Sequence, residues 1–583
     1  GQQAVRRRSV SWALRLLGLL SGSLTAQEIR LEAEEGQLTG LTVASAPEGY
    51  SGEGYVKGFI DGSQFVEWSF DAAAGFYDLI LGFRTPSGEK EVEVTLDGAG
   101  QAAMLPASDD FSVYDLGLVR LEAGAHTLRV GAGWNYYEID FVALTPIASP
   151  PGLSPVEAVP VNPAASLPAR RLLAYLASQY GEVTLTGQQE AHDLAVIERV
   201  AGQRPAILAG DLISYSPTRV QYGGYPTTGD RYGTTEEYIA AHAEGSIISL
   251  AWHWNAPADL LNGEGTEWWR GFYEEATTFD LPGALADRAG EDFRAILRDI
   301  DAIAVELQKL EEAGVPVLWR PLHEAEGGWF WWGAHGPAAL KELWEVLYER
   351  LTHFHGLDNL LWVYTYTVTV DPAWYPGDAM VDIVGVDAYP ADRSTALAAL
   401  WKRLHALYDG RKLLALSEFG GVPNLPVMHS LGVRWAYFVS WEGDEHGPQS
   451  APADLLERVY NDPAAIVLAD SDSNQDGVPN DVATYFGLDW QTDLPVLLST
   501  PSAGAPPLLL FGAGIDPARV RLGPLVRMGA TGPELALPLW QSHDLLTWSE
   551  VPAPALSVAA GGLLVGSPAP APAPVFFQVR RVE

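Results

Sequence analysis

Val315-Pro316-Val317-Leu318-Trp319-Arg320-Pro321-Leu322-His323-Glu324 passes from an apolar run into an ionisable end. Such a run, bounded by polar residues, reads as a strand buried on both faces with its C-terminal end at the surface. Seven further segments read the same way: Val183–Gln188, Ala206–Leu212, Ser246–His253, Leu360–Thr367, Val381–Tyr389, Lys412–Phe419 and Trp435–Trp441. Amphipathic segments lie between them. In one, Phe293, Ile296, Leu297, Ile300, Ile303, Leu307 and Leu310 keep the i, i+3, i+4 spacing of a helix lying on a sheet. Eight strands alternating with helices over 169–468 predict a (β/α)8 TIM barrel. The strand ends carry Gln188, Asp211, His253 with Asn255, His323 with Glu324, Tyr364 with Tyr366, Asp387 with Tyr389, Glu418, and Trp441 with Glu442. That rim is where a barrel enzyme keeps its active site.

The barrel accounts for about half of the 583 residues, so the chain is multidomain. On its N-terminal side, 147–168 is a Pro-rich stretch that predicts an extended, semi-rigid linker. Before it, 27–146 has period two: Val92, Val94 and Leu96 alternate with Glu91, Glu93 and Thr95, and Tyr77, Leu79, Leu81 and Phe83 follow the same rule. With Gly-rich turns this predicts a β-sandwich. At 1–26, the basic Arg6, Arg7 and Arg8, an apolar stretch from Leu14 to Leu24 and the small residues near Ala26 read as a signal peptide, so the mature protein is expected to be secreted. On the C-terminal side, 469–489 is an Asp-rich linker and 490–583 a small β-rich module.

Composition removes whole classes of function. Lys+Arg 36 against Asp+Glu 74 leaves a net charge of −38, which repels polyphosphate and anionic membranes, so neither nucleic acid nor membrane is an expected partner. With no Cys, thiol catalysis, disulfides and Cys-ligated zinc are excluded. The 20 Trp are more telling, because many fall at strand ends or in the loops that follow: Trp252, Trp254, Trp268, Trp269, Trp441, and Trp329, Trp331 and Trp332 within Gly327–Gly333. Aromatic faces stack on sugar rings, and carboxylates bind hydroxyls. A single Glu at a strand end is more often a solvated carboxylate or a partner for Arg. Two of them, Glu324 and Glu418, on different strand ends in this aromatic company fit glycoside hydrolysis, which needs one carboxyl to protonate the leaving oxygen and another facing the anomeric carbon. Arg320 is placed to keep one of them ionised.

These motifs resemble glycoside hydrolase family 26, known best for endo-β-1,4-mannanases. The resemblance is carried by Trp252-His253-Trp254-Asn255, Arg320-Pro321-Leu322-His323-Glu324, Gly327–Gly333, Asp382–Tyr389 and Ser417-Glu418-Phe419-Gly420. It implies Glu324 as acid/base, Glu418 as nucleophile, His323 as an orienting group, and His253, Trp329, Tyr389 and Trp441 as substrate-binding residues; Trp254, an aromatic near the same strand end as His253, is a further substrate-binding candidate. The implied enzyme is a retaining endo-β-1,4-mannanase, active as a monomer on mannan without a catalytic cofactor. Ala325-Glu326 departs from the common Met or Leu with Asn or Asp, bringing an extra carboxylate into this loop. A β-1,3-xylanase, a mixed-linkage β-glucanase and a non-catalytic glycan-binding surface protein are the alternatives.

The N-terminal sandwich resembles a family 35 carbohydrate-binding module, through Leu31-Glu32-Ala33-Glu34 and Tyr137-Glu138-Ile139-Asp140. That resemblance implies structural calcium on Glu32, Glu34 and Asp140, and sugar contact at Trp134. On this reading the module tethers the enzyme to its substrate without entering the chemistry. A second calcium candidate is Asp472-Ser473-Asn474-Gln475-Asp476-Gly477-Val478, whose Asp472, Asn474 and Asp476 alternate as in an EF-hand loop although Ala483 replaces the closing Glu.

Overall fold

The computed structural model describes residues 27–473 and, beyond them, only the backbone of short strands between 509 and 579. The proposed signal peptide, Asn474 and Asp476 lie outside the described residues.

The N-terminal unit is a β-sandwich. One sheet has the order β3 (Thr42–Ala44), β4 (Tyr55–Lys57), β11 (Glu138–Ile147), β6 (Gly75–Thr85), β9 (Ser108–Leu121), with β1 (Ile29–Glu32) also paired to β11. The other runs β2 (Gln37–Thr39), β5 (Phe65–Ala72), β10 (Gly124–Gly131), β7 (Lys90–Leu96), β8 (Ala99–Leu105). The period-two pattern dictates which side is buried: Val92, Val94, Tyr77, Leu79, Leu81 and Phe83 all enter one core.

After Thr184–Leu185 (β12) the chain forms a closed parallel barrel of β13 (Gly187–Gln189), β14 (Ile207–Asp211), β15 (Ile247–Ala251), β16 (Val317–Arg320), β17 (Leu360–Tyr366), β18 (Ile383–Ala388), β19 (Leu413–Phe419) and β20 (Phe438–Ser440). Every residue of β16, β17, β18 and β19 is buried, as expected of strands covered by side chains inside and helices outside. The long helix Glu291–Glu312 lays Phe293, Ile296, Ile300, Ile303, Leu307 and Leu310 on the sheet, each contributing about 1.5–3 kcal/mol of burial.

The Pro-rich stretch 147–168 is docked on the barrel. The Ser154 backbone N–H donates to Asp409 (2.8 Å), and that of Val161 donates to Asp382 (2.7 Å). Its last residues already belong to the helix Leu167–Gln179, which starts with Ser166 accepting from the Ala169 N–H and Pro168 in the first turn. Leu172, Leu173 and Leu176 of that helix cluster with Ile207, Ile247, Leu318, Leu361, Ile383 and Leu413. Each of these six is the first or second residue of its strand, so the helix plugs the N-terminal mouth and leaves the opposite rim for chemistry.

The sandwich also rests on the barrel. Gly117 abuts the helix Ala398–Tyr408 so closely that a Cβ there would sit 2.3 Å from the Ala399 nitrogen. Lys402 of that helix pairs with Asp78 and Asp115, both at 2.8 Å. Arg403 donates to the Tyr114 hydroxyl (2.8 Å).

Candidate active site

Arg320 closes β16 inside the barrel and is buried. Its guanidinium donates to Asp387 at the end of β18 (2.9 Å) and to Glu418 near the end of β19. Three strands thus bring a cation and two carboxylates to one point. The chain then turns through Pro321, with Leu322 (φ 50°) and Glu324 (φ 55°) both in the left-handed region. Non-glycine residues hold that backbone at a cost of about 1–3 kcal/mol each, typically where function demands it. The result puts a carboxylate oxygen of Glu324 within 4.8 Å of one from Asp387 and one from Glu418.

The two glutamates differ in company. Glu418 accepts from Arg320 and from the Tyr389 hydroxyl (2.6 Å). Glu324 accepts from the Trp329 indole (3.0 Å), is hydrogen-bonded to Asp387 and touches no cation. Burial lifts Asp387 to about 8, and the charge of Glu324 adds to the lift against the pull of Arg320. Burial and the charge of Glu418 lift Glu324 to about 7. Glu418 is also raised, by burial and then by the charge of Asp387, while Arg320 and Tyr389 draw it down. A neutral Asp387 stops repelling Glu418, leaving it with its cation and its hydroxyl donor. Three carboxyls around a space of this size, two of them buried, are also the donor set of a cation site; here Arg320 supplies the positive charge to the buried two.

Two histidines flank the pair. His253 bonds Asp211 through Nδ1 and faces the His323 ring, Nε2 to Nε2 at 3.2 Å. Burial, with Arg320 and His253 nearby, holds His323 well below the usual imidazole range, so it is neutral. Aromatic walls complete the rim: Tyr389 and Trp441 have centroids 6.3 Å apart, and Trp329 and Tyr389 are about two-fifths exposed. Phe272 and Phe330 pack on His253 at 5.0 and 5.4 Å.

Trp254 departs from its expected place. It is fully buried, stacked on Trp252 at 4.2 Å with its indole donating to Asp299 (2.8 Å), and it presents no exposed face to the cleft. Alternation explains the departure: His253 points into the rim, so its neighbours turn into the packing between strand and helix. Glu326 likewise turns away, accepting from the Thr367 hydroxyl (2.6 Å) and from the Val370 and Asp371 N–H groups (3.2 and 2.8 Å), so it braces a loop. Sequence reasoning passed over Asp387 as a working residue although it ends a strand as the glutamates do. Its meeting with Arg320 spans 67 positions and has no local signal.

Residues 161–470 match the model of glycosyl hydrolase family 26. The chain belongs to that family. It is therefore a glycoside hydrolase, of a kind that needs no cofactor for catalysis. Residues 29–147 match the model of the family 35 carbohydrate-binding module. A mannan endo-1,4-beta-mannosidase of Thermothelomyces thermophilus is 39% identical over 76% of this chain and 91% of its own length. Mannan endo-1,4-beta-mannosidase A of a Piromyces species is 30% identical over 75% and 71% respectively. Among solved structures, a GH26-CBM35 beta-(1,4)-mannanase of Podospora anserina superposes with a TM-score of 0.55 at 40% identity, covering 76% of this chain and 98% of that one. This family 26 hydrolase thus resembles, over both of these units, a solved enzyme that carries the same two families.

In the carbohydrate-binding module, the acidic edge gathers around the turn 51–54. The Ser51 hydroxyl donates to Glu32 (2.6 Å), its N–H to Asp140 (2.9 Å), and the Glu53 and Gly54 N–H groups to Glu34 (2.5 and 3.1 Å). The second oxygen of Glu34 is buried without a partner, and burial lifts Asp140 to about 6. Trp134 is half exposed on the loop before β11. At the other calcium candidate, Asp472 is nearly buried against Tyr175.

Proposed function

We propose that this hydrolase is a retaining endo-β-1,4-mannanase, with Glu418 as nucleophile and Glu324 as acid/base. The observation that carries the mechanism is the approach of the two glutamate carboxylates to within 4.8 Å, with Arg320 bonded to Glu418 and not to Glu324. Separations of about 5–5.5 Å belong to retaining enzymes, whereas inverting ones leave about 6.5–9.5 Å for a water. In the first step Glu418 attacks the anomeric carbon while Glu324 gives its proton to the departing oxygen. In the second, Glu324 takes a proton from water, which displaces Glu418 from the sugar. The neutral His323 and the Tyr389 hydroxyl border the sugar at this point, and Trp329 and Trp441 offer faces to stack on.

The relatives' activities support mannan as the substrate. Reducing-sugar release on galactomannan, glucomannan, β-1,3-xylan and lichenan tests it: the mannans should lead, and xylan or lichenan cleaved equally well would keep the mechanism and remove the mannanase.

The proposal includes export from the cytoplasm, supported by Arg6–Arg8 and the apolar stretch after them, and a monomeric enzyme. N-terminal sequencing and sedimentation test these. It also includes calcium on the binding module. The acidic edge fits the ion, because it offers three hard oxygen donors and one of them has a buried oxygen with no partner. Glu32, Glu34 and Asp140 would hold it, and its charge would offset theirs and tie the turn 51–54 to β11.

A further inference from the structure

Beside Glu324 and Trp329 a cleft of about 580 Å³ continues past Thr367 and Tyr389 and reaches the binding module. Its far wall is the β7–β8 hairpin. There the pairing sets Glu91 opposite Met104, Glu93 opposite Ala102 and Thr95 opposite Gly100, so these six share one face, while Val92 and Val94 turn to the sandwich core. The face is shaped for a sugar chain. Gly100 and Ala102 leave it flat, Met104 adds an apolar surface, and the Glu91 and Glu93 carboxylates can accept from hydroxyls. Gly133, next to the exposed Trp134, lines the same cleft.

The wall is held in place. Besides the seat of Gly117 and the pairs of Lys402 described above, Asp392 accepts from the Gly100 N–H (3.0 Å), and Arg403 bridges the Tyr114 hydroxyl to the Val368 carbonyl (2.8 and 2.7 Å). Such anchoring is more than a tether needs.

We infer that the β7–β8 face of the binding module is a distal subsite of the catalytic cleft, so that one glycan chain lies across both units during cleavage. This rests on the proposed function only for the choice of sugar. It replaces the expectation of a module that merely raises local substrate concentration.

The test uses the full chain and soluble β-1,4-manno-oligosaccharides from the tetra- to the heptasaccharide, reading the ratio of kcat/KM for the longest to that for the shortest. In Glu93→Ala the ratio should fall about 2- to 10-fold, as for one lost hydrogen bond. In Gly117→Val, which pushes the module off the helix Ala398–Tyr408, it should fall at least as far. Glu93 is exposed, so its variant reports even if Gly117→Val does not fold. An unchanged ratio in Glu93→Ala, with loss confined to insoluble mannan, would overturn the inference and leave the mannanase intact. If the wild-type enzyme cleaves another β-glycan instead, the mannan reading fails, and the same ratio measured on that glycan's oligosaccharides decides the subsite.

Discussion

Among the described residues, one group of three carboxyls in the barrel and one on the binding module are balanced in opposite ways. In the barrel, Glu324, Asp387 and Glu418 lie together, and Arg320 at the end of β16 supplies a cation from within to the last two. On the binding module, Glu32, Glu34 and Asp140 meet backbone N–H groups and Ser51, with Arg30 touching only the outer side of Glu32 (2.6 Å), and a Glu34 oxygen stays unpartnered. A carboxylate cluster with its own buried cation can divide protons and charge among its members, which is what acid/base chemistry needs. One without such a cation suits an ion from solution.

The comparison breaks most visibly at Glu418. Glu418→Ala should lower kcat by at least about 10⁴-fold, about 5.4 kcal/mol of barrier, because no other group can form the intermediate. Glu324→Ala should lose about 10²- to 10⁴-fold on mannan yet far less in forming the intermediate from activated aryl glycosides, whose leaving groups need no proton. Equal losses on both substrates would contradict the division of roles.

Arg320→Met removes the internal cation and strands its partners. Unfolding by denaturant should show about 3–5 kcal/mol lost, with activity falling alongside. At the module the sign is reversed: calcium should raise the melting temperature by the equivalent of about 2.7 kcal/mol at a hundredfold excess over Kd, and Glu34→Gln should remove the response. Asp140 must lose its proton to bind the ion, so the gain should grow as pH rises through about 6. A response to calcium that survived in Glu34→Gln would place the ion elsewhere.

How far could all this be read in the sequence? Seven of the eight strands were legible because each is a largely apolar run long enough to count, and the two glutamates because each falls at the end of such a run; the expected first strand, Val183–Gln188, is divided, since Thr184–Leu185 pairs with Ala465–Ile466 and the short polar Gly187–Gln189 enters the barrel. Trp254 was misplaced because type and position both favoured the rim, while its burial follows from which way His253 points. The linker was legible as Pro-rich but not as docked: contacts such as Ser154 with Asp409 join residues 255 positions apart. The same limit hid the role of Asp387 and the wall formed by β7 and β8.

Smaller effects sharpen the picture. Trp329→Ala should cost about 1–3 kcal/mol in kcat/KM through lost stacking, and Trp329→Phe should recover most of it while losing the hydrogen bond to Glu324. The acid must be protonated to act, so kcat/KM should fall as pH rises through about 7, where Glu324 ionises. Glu324→Gln should abolish that limb.

The most direct test of the central claim is the anomeric configuration of the glycosyl azide formed when azide rescues the two alanine variants. Glu418→Ala should yield the inverted α-azide, since azide enters the vacated side of the ring. Glu324→Ala should yield the β-azide, since azide attacks the intermediate still formed on Glu418. The opposite assignment, or inverted azide from both variants, would contradict the account.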